Sequence, residues 1–202
     1  MSRRITIVLI IVAALMAAPP ELLPQNGFRL GAGISGFQNA AADEKPGFCA
    51  ASFITWKLSK QLYVQTELEL SVRKAIITEP YLKGELEKSF ITRNMSMPLL
   101  LLTPILGNHH TRISTFAGPA PGLNLGNHAD FTYIYLEPED TDKPIADFIL
   151  PSIDFIAGVD IRRRVNEIGI LLDWRISFGL LDQVDGKKGW STRLTLGYSF
   201  NL

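Results

Sequence analysis

Few residues in this 202-residue sequence have the chemistry for catalysis or ligand capture, and their types and spacing decide how far each can be taken. Nucleophilic hydrolysis needs a serine or cysteine beside a histidine that a carboxylate orients. The histidines are His109, His110 and His128. His128 lies two residues before Asp130 and is the candidate for a hydrolase or acyltransferase site at a surface. No partner serine is identifiable for it, so it reads as a solvated loop histidine. Glu137, Glu139, Asp140 and Asp142 offer carboxylates for a calcium ion, but without the glycine-containing ligand loop such sites often use they read as a solvated acidic loop. Glu67 and Glu69 stand two apart, as paired acid/base carboxylates do. Cys49 is the single cysteine, which excludes an intramolecular disulfide and a CxxC metal or redox site and leaves it a packing role. Gly31, Gly33 and Gly36 lack the strand-turn-helix setting of a phosphate cradle. No catalytic, cofactor-binding or metal residue is assigned, and the chain reads as a non-enzyme.

Composition narrows the partners. Lys+Arg and Asp+Glu are 20 each, so nothing in the charge balance suggests nucleic acid. Hydrophobic residues make up 47%, yet beyond the first two dozen residues no apolar run approaches the roughly 18 needed for a membrane-spanning helix. Either the core is soluble and rich or the membrane part is not helical.

The N-terminus points to export. Arg3 and Arg4 precede an apolar run from Ile5 to Met16, and the small residues Ala17 and Ala18 follow before Pro19 and Pro20. That is the layout of a secretory signal peptide over residues 1–18, with a retained signal anchor as the alternative. A short segment, 19–26, then leads into a single domain over 27–202.

The positioning elements are strands. From Leu62 to Val72 the even positions are apolar or Thr66, while Tyr63, Gln65, Glu67, Glu69 and Ser71 alternate with them. The same period of two runs from Glu167 to Leu180, broken only by Leu171, and from Trp190 to Phe200. Weaker versions cover Phe28–Ile34, Phe48–Leu58, Met95–Leu101, Ile113–Leu123 and Ile153–Arg162, making eight strands and no helix. One face is almost unbroken Leu, Ile, Val, Phe and Trp. The other is rich in Gly, Ser and Ala, with charges of both signs: Arg29, Glu67, Glu69, Arg73, Asp154, Asp160, Asp173, Arg175 and Arg193. Small residues and paired charges suit a narrow filled lumen with a structural charge network, and an apolar exterior suits lipid. A soluble lipocalin-type barrel would carry the reverse pattern.

The expected fold is therefore all-β: a closed antiparallel eight-stranded transmembrane barrel with short periplasmic turns and long extracellular loops. The long connections fall at about 38–46, 75–90, 124–148 and 181–189, and the short ones at Ser59–Gln61, Ile105–His109 and Arg163–Val165. Phe131, Tyr133 and Tyr135 suggest that the strands flanking the fifth connection project as a hairpin. Trp56, Trp174, Trp190, Tyr198 and Phe200 are the candidates for interfacial girdles. Pro98, Pro119, Pro121 and Pro151 must be absorbed by bulges or strand ends, because each lacks a ladder donor.

Several motifs resemble a family. Lys45-Pro46-Gly47-Phe48, Val64-Gln65-Thr66-Glu67-Leu68, Met97-Pro98-Leu99-Leu100-Leu101, Phe116-Ala117-Gly118-Pro119 and Leu194-Thr195-Leu196-Gly197-Tyr198-Ser199-Phe200 look like those of the PorT-like small outer-membrane barrels of the Bacteroidetes lineage. The chain departs from that pattern at Asn94 and Ser96, where Tyr and Glu are common, and in ending on Asn201-Leu202. The resemblance implies a barrel in the outer membrane of a Gram-negative bacterium, delivered by the barrel-assembly machinery through its C-terminal strand. Its expected partners are outer-membrane lipid and an envelope or secretion-system protein, with the barrel itself a monomer. Two other readings stand beside this one: an enzyme at the barrel mouth near His128, and a small restricted pore.

Overall fold

The computed structural model describes residues 25–37, 42–59, 61–81, 84–108, 110–134, 149–165, 168–181 and 188–201. They form nine strands: β1 (Gln25–Phe37), β2 (Ala42–Lys57), β3 (Tyr63–Tyr81), β4 (Gly84–Ser96), β5 (Leu99–Gly107), β6 (Thr111–Ile134), β7 (Ile149–Val165), β8 (Ile168–Gly179) and β9 (Gly189–Asn201). All pairings are antiparallel, and β1 pairs with β9 as well as with β2, so the sheet closes. Strands β4 and β5 lie end to end between β3 and β6, so the nine strands make an eight-strand barrel. The proposed signal peptide 1–18, residues 19–24 and the acidic residues Glu137, Glu139, Asp140 and Asp142 lie outside the described residues.

The split of the fourth stave has a cause in the sequence. Met97 and Pro98 separate β4 from β5, and the ladder bridges them with Glu67 N–H donating to the Pro98 carbonyl (3.1 Å) and Met97 N–H to the Pro121 carbonyl (2.8 Å). A strand residue points its N and O at the same neighbour, so Pro121 and, two residues back, Pro119 aim their donorless nitrogens at the same interruption. The defects share one place in the wall. Gly118 lies there too, where a Cβ would run into the Leu99 carbonyl, so the chains approach closely. Pro46 and Pro104 sit at register shifts, the other device that absorbs a missing donor.

Inside and outside follow the alternation. Phe28, Leu30, Phe48, Leu68, Leu70, Leu172, Leu194 and Leu196 point outward and are exposed, Leu30 at 69% and Phe48 at 67%. Arg29, Cys49, Ala51, Phe53, Glu67, Glu69, Ser177 and Thr195 point inward and are buried. Leu171, the break in the alternation of β8, is an inward residue at 1% exposure. The interior also holds an apolar cluster of Leu100, Leu102, Phe116, Ala120 and Ile156, with Tyr63 packed against it, where the pattern suggests only small and charged side chains.

Three expectations need correction. The long connection at 75–90 does not exist as a loop: β3 runs to Tyr81 and β4 starts at Gly84, paired along the whole length. The segment after 123 likewise stays in β6 to Ile134; its pairing with β7 ends at Leu125 and beyond that it pairs with β4, so a three-stranded β3–β4–β6 ribbon continues past the rest of the barrel. Phe131 and Tyr133 belong to it, while Tyr135 lies outside the described residues. Residues 76–90 carry Glu79, Pro80, Glu85, Glu87 and Lys88, which break the apolar alternation that marks the barrel strands. Finally, Trp174 sits halfway along β8 rather than at a rim, with its indole N–H donating to Thr192 Oγ1 at 2.9 Å. Tyr198 does lie near the strand ends, 6.0 Å from Phe28 and 6.2 Å from Phe200 by ring centroids.

Leu172→Arg, an outward cation in the middle of β8, should cost about 2–4 kcal/mol in a urea titration of the protein folded into bilayers. Ser177→Arg, on the inner face, should instead fail by overpacking the lumen.

Candidate functional site

The inward charges converge on β3. Glu67 accepts from both terminal nitrogens of Arg29 on β1, a bidentate pair, and its Oε2 also receives Arg175 Nη1 from β8 at 3.1 Å. Strands β3 and β8 stand on opposite walls of the eight-strand barrel, so the Arg175–Glu67 contact crosses its full width. Arg29 reaches Asp173 at 3.1 Å and Glu69 at 3.3 Å, and Arg193 on β9 pairs with Glu69. Asp173 is further held by Arg175 at 2.7 Å and by the Thr195 hydroxyl at 2.6 Å. Toward the loop end, Arg73 joins Asp154 across from β3 to β7. Toward the turn end, Arg162 donates to Asp160 at 2.8 Å and to Gln65 at 2.6 Å.

All nine charged residues read from the pattern therefore line the lumen, and the structure brings them into ion pairs. Arg162 and Gln65 join them without having stood out in the sequence. Arg162 is hidden in the run Arg162-Arg163-Arg164, although it shares the parity of Asp154 and Asp160 and so has to face inward. Gln65 has the right parity but no charge to single it out, yet it links Thr55, Glu67 and Arg162.

Register explains the layered arrangement. Arg175 is directly opposite Arg193, and Asp160 is opposite Asp173. Like charges facing each other destabilise a strand pair, and here each is offset by opposite charges from other strands. Among the described residues the buried lumen groups balance: Arg29, Arg73, Arg162, Arg175 and Arg193 against Glu67, Glu69, Asp154, Asp160 and Asp173. Two guanidiniums also lie over aromatic faces, Arg175 at 5.1 Å from the Phe116 ring centre and Arg162 at 5.5 Å from that of Phe53.

This geometry offers little for catalysis. The side chains of Glu67 and Glu69 are 0% and 1% exposed and saturated by arginines, so no substrate reaches them. Cys49 is buried on the inner face of β2. Among the described residues no group of three or more His, Cys, Asp or Glu could hold a metal ion. His128 lies in β6 opposite Ile91, and its side chain and that of Asp130 are outside the description. What the arrangement does is fill the lumen and tie opposite walls together.

A major outer-membrane protein of Thermus thermophilus superposes on the chain with a TM-score of 0.53 at 12% identity, covering 89% of this chain and 99% of that one. This is an outer-membrane-type barrel fold. The attachment invasion locus protein Ail of Yersinia pestis (TM-score 0.47, 14% identity, 87% and 98% covered) and Neisserial surface protein A (0.48, 9%, 89% and 97%) also align with the barrel. No protein-family model and no curated protein matches the chain.

Removing one partner of the central brace leaves a buried charge uncompensated, so Arg29→Met should destabilise the barrel by about 3–5 kcal/mol. Adding Glu67→Gln removes the matching charge. The double variant should lose less than the sum of the two single losses when all four proteins are titrated with urea.

Proposed function

We propose that the protein is an integral outer-membrane barrel of a Gram-negative bacterium with no catalytic site, whose loop end makes contacts at the cell surface. One observation carries the membrane reading: the closed sheet is charged within and apolar without. Soluble monomers rarely expose a contiguous apolar patch of more than a few hundred Å². Here outward Leu, Ile, Phe and Val side chains encircle the wall while the arginines and carboxylates are buried. Export rests on the N-terminal segment, with its two arginines and apolar run. Closure leaves no strand edge to pair among the described residues, which supports a monomer, and assembly through the C-terminal strand fits β9, which closes the barrel against β1.

Surface contact is favoured by the ribbon. A membrane strand needs about 9–11 residues, whereas β3 has 19 and β6 has 24. The extra length of β3, β4 and β6 contributes nothing to crossing a bilayer and builds a paired platform beyond it. The PorT-like motifs support an envelope protein of this size, and no feature of the barrel favours a secretion role over surface contact. A diffusion pore is disfavoured by the Arg175–Glu67 brace across the lumen.

The mature protein should fractionate with the outer membrane and migrate differently on gels before and after boiling. Replacing residues 135–148 with a short Gly/Ser linker should keep that heat-modifiable migration, because loop length changes closure entropy only slightly. It should also reduce binding of the cells to host or neighbouring-cell surfaces. Recovery of the parent as a soluble periplasmic monomer would overturn the membrane reading.

A further inference from the structure

The charge balance of the lumen stops at its turn end. Arg112 on β6 stands directly opposite Arg162 on β7, and Thr111 opposite Arg163. Elsewhere in the lumen, facing like charges are offset by partners from other strands, as Arg175 and Arg193 are by Glu67, Glu69 and Asp173. At the turn end the one carboxylate on the pair is Asp160, and Arg162 takes it. The buried balance of five arginines against five carboxylates is already closed without Arg112. Arg112 is a surplus cation, its guanidinium 4.4 Å from the centre of the Tyr63 ring and its buried Nε without a hydrogen-bond partner.

These residues surround a pocket of about 230 Å³. Arg112, Arg162, Arg163, Arg164, His110 and Ser199 line it, and no lining residue among the described residues is acidic. Glu167, in the connection that follows Val165, lies outside the described residues. The pocket is built rather than incidental. Arg162 is fixed by Asp160, Gln65 and Gln25, the last at 3.1 Å, and Arg112 is fixed by its stacking on Tyr63. Gly169, paired with both Arg164 and Ser199, leaves the wall open, since a Cβ there would collide with the Ser199 hydroxyl.

Guanidinium, imidazole, hydroxyl and amide groups around one cavity form a donor set for an anion with several acceptor oxygens, and arginine suits phosphate through its forked donors. We propose that the turn-end pocket binds a phosphate group, with Arg112 and Arg163 as its principal ligands beside the fixed Arg162. Short turns of outer-membrane barrels face the periplasm, which puts the pocket level with the phospholipid headgroups of the inner leaflet. Arg163 stands on the outward face of β7, where a headgroup phosphate would lie. A free phosphate or phosphomonoester in the periplasm has the same chemistry and would enter from the mouth. The site rests on the membrane reading only for the lipid source, and binding of free phosphate is independent of it.

The test uses the full-length mature protein refolded in a zwitterionic detergent. Its thermal midpoint is followed against inorganic phosphate, with sodium chloride at matched ionic strength as the control. The same measurement is made in a detergent whose headgroup contains no phosphate, with and without added phosphatidylglycerol. A saturable upward shift with phosphate identifies a site open to the free anion, and a shift with phosphatidylglycerol alone identifies the headgroup. In either case Arg112→Gln and Arg163→Gln should each weaken the half-saturation point by about tenfold, as loss of a charge-assisted hydrogen bond would. Lys188→Gln, before β9 at the opposite end, should leave it unchanged. Should Arg112→Gln fail to fold, Arg163→Gln, at an exposed position, decides the outcome alone. No shift beyond the chloride control in any arm, or shifts that neither arginine variant reduces, would overturn the proposal. A barrel that binds phosphate yet is recovered as a soluble protein would leave the site standing and remove the membrane reading.

Discussion

Glu67 is the constraint on which the rest of the barrel depends. Its carboxylate takes a bidentate pair from Arg29 beside it and a third contact from Arg175 on the facing wall. A carboxylate at 0% exposure costs several kcal/mol to desolvate, and this is offset only if geometry and partners are complete. The requirement propagates outward. Arg175 and Arg29 must be shared with Asp173, Arg193 must be neutralised by Glu69, and Gln65 must hold Glu67 while accepting from Arg162. A one-residue slip between any two of these strands would turn the charges toward the apolar exterior. The network thus selects the register as much as it stabilises the sheet.

Such a filling dictates the small residues around it. Arginine and glutamate side chains long enough to meet at the centre leave little room beneath them on the wall. Between them on the inner face come Gly27, Gly31 and Gly33 on β1, Cys49 and Ala51 on β2, Ser177 on β8, and Ser191 and Gly197 on β9. The outer face carries no such limit and is free to be bulky. Closure, filling and amphipathicity are therefore one requirement seen from three sides.

The architecture is legible in the sequence wherever burial differs between two faces. The strands through Glu67, Asp173 and Arg193 carry polar, charged or glycine residues at alternate positions, Leu171 and Tyr63 excepted, against a mostly apolar face, and their faces are those of the structure. Legibility fails where that contrast vanishes. Leu99 to Leu102 are apolar on both faces, so nothing marks Leu100 and Leu102 as interior. Beyond Arg73 the strands of the ribbon lack a consistently apolar face: Phe131 and Tyr133 alternate, but Glu79, Pro80, Glu85 and Lys88 do not continue the pattern. Arg162 is masked by the two arginines that follow it, of which Arg163 faces outward. Trp174 suggests a rim by its residue type alone, although Thr192 beside it satisfies the indole without a headgroup.

The two kinds of filling are divided across the barrel for a physical reason. The wall is weakest at β4, β5 and β6, where Met97–Pro98 interrupts one strand opposite the donorless nitrogens of Pro119 and Pro121. A further buried polar group there would need partners of its own, and low dielectric makes each unsatisfied group more costly. The lumen behind that stretch is instead packed with Leu100, Leu102, Phe116, Ala120 and Ile156, which demand no hydrogen bonds. The ion pairs draw their side chains from β1, β3, β7, β8 and β9. Apolar packing thus lies beside the interruption, and the charges that come up to its edges, Glu67 and Asp154, are each held by an arginine from another strand.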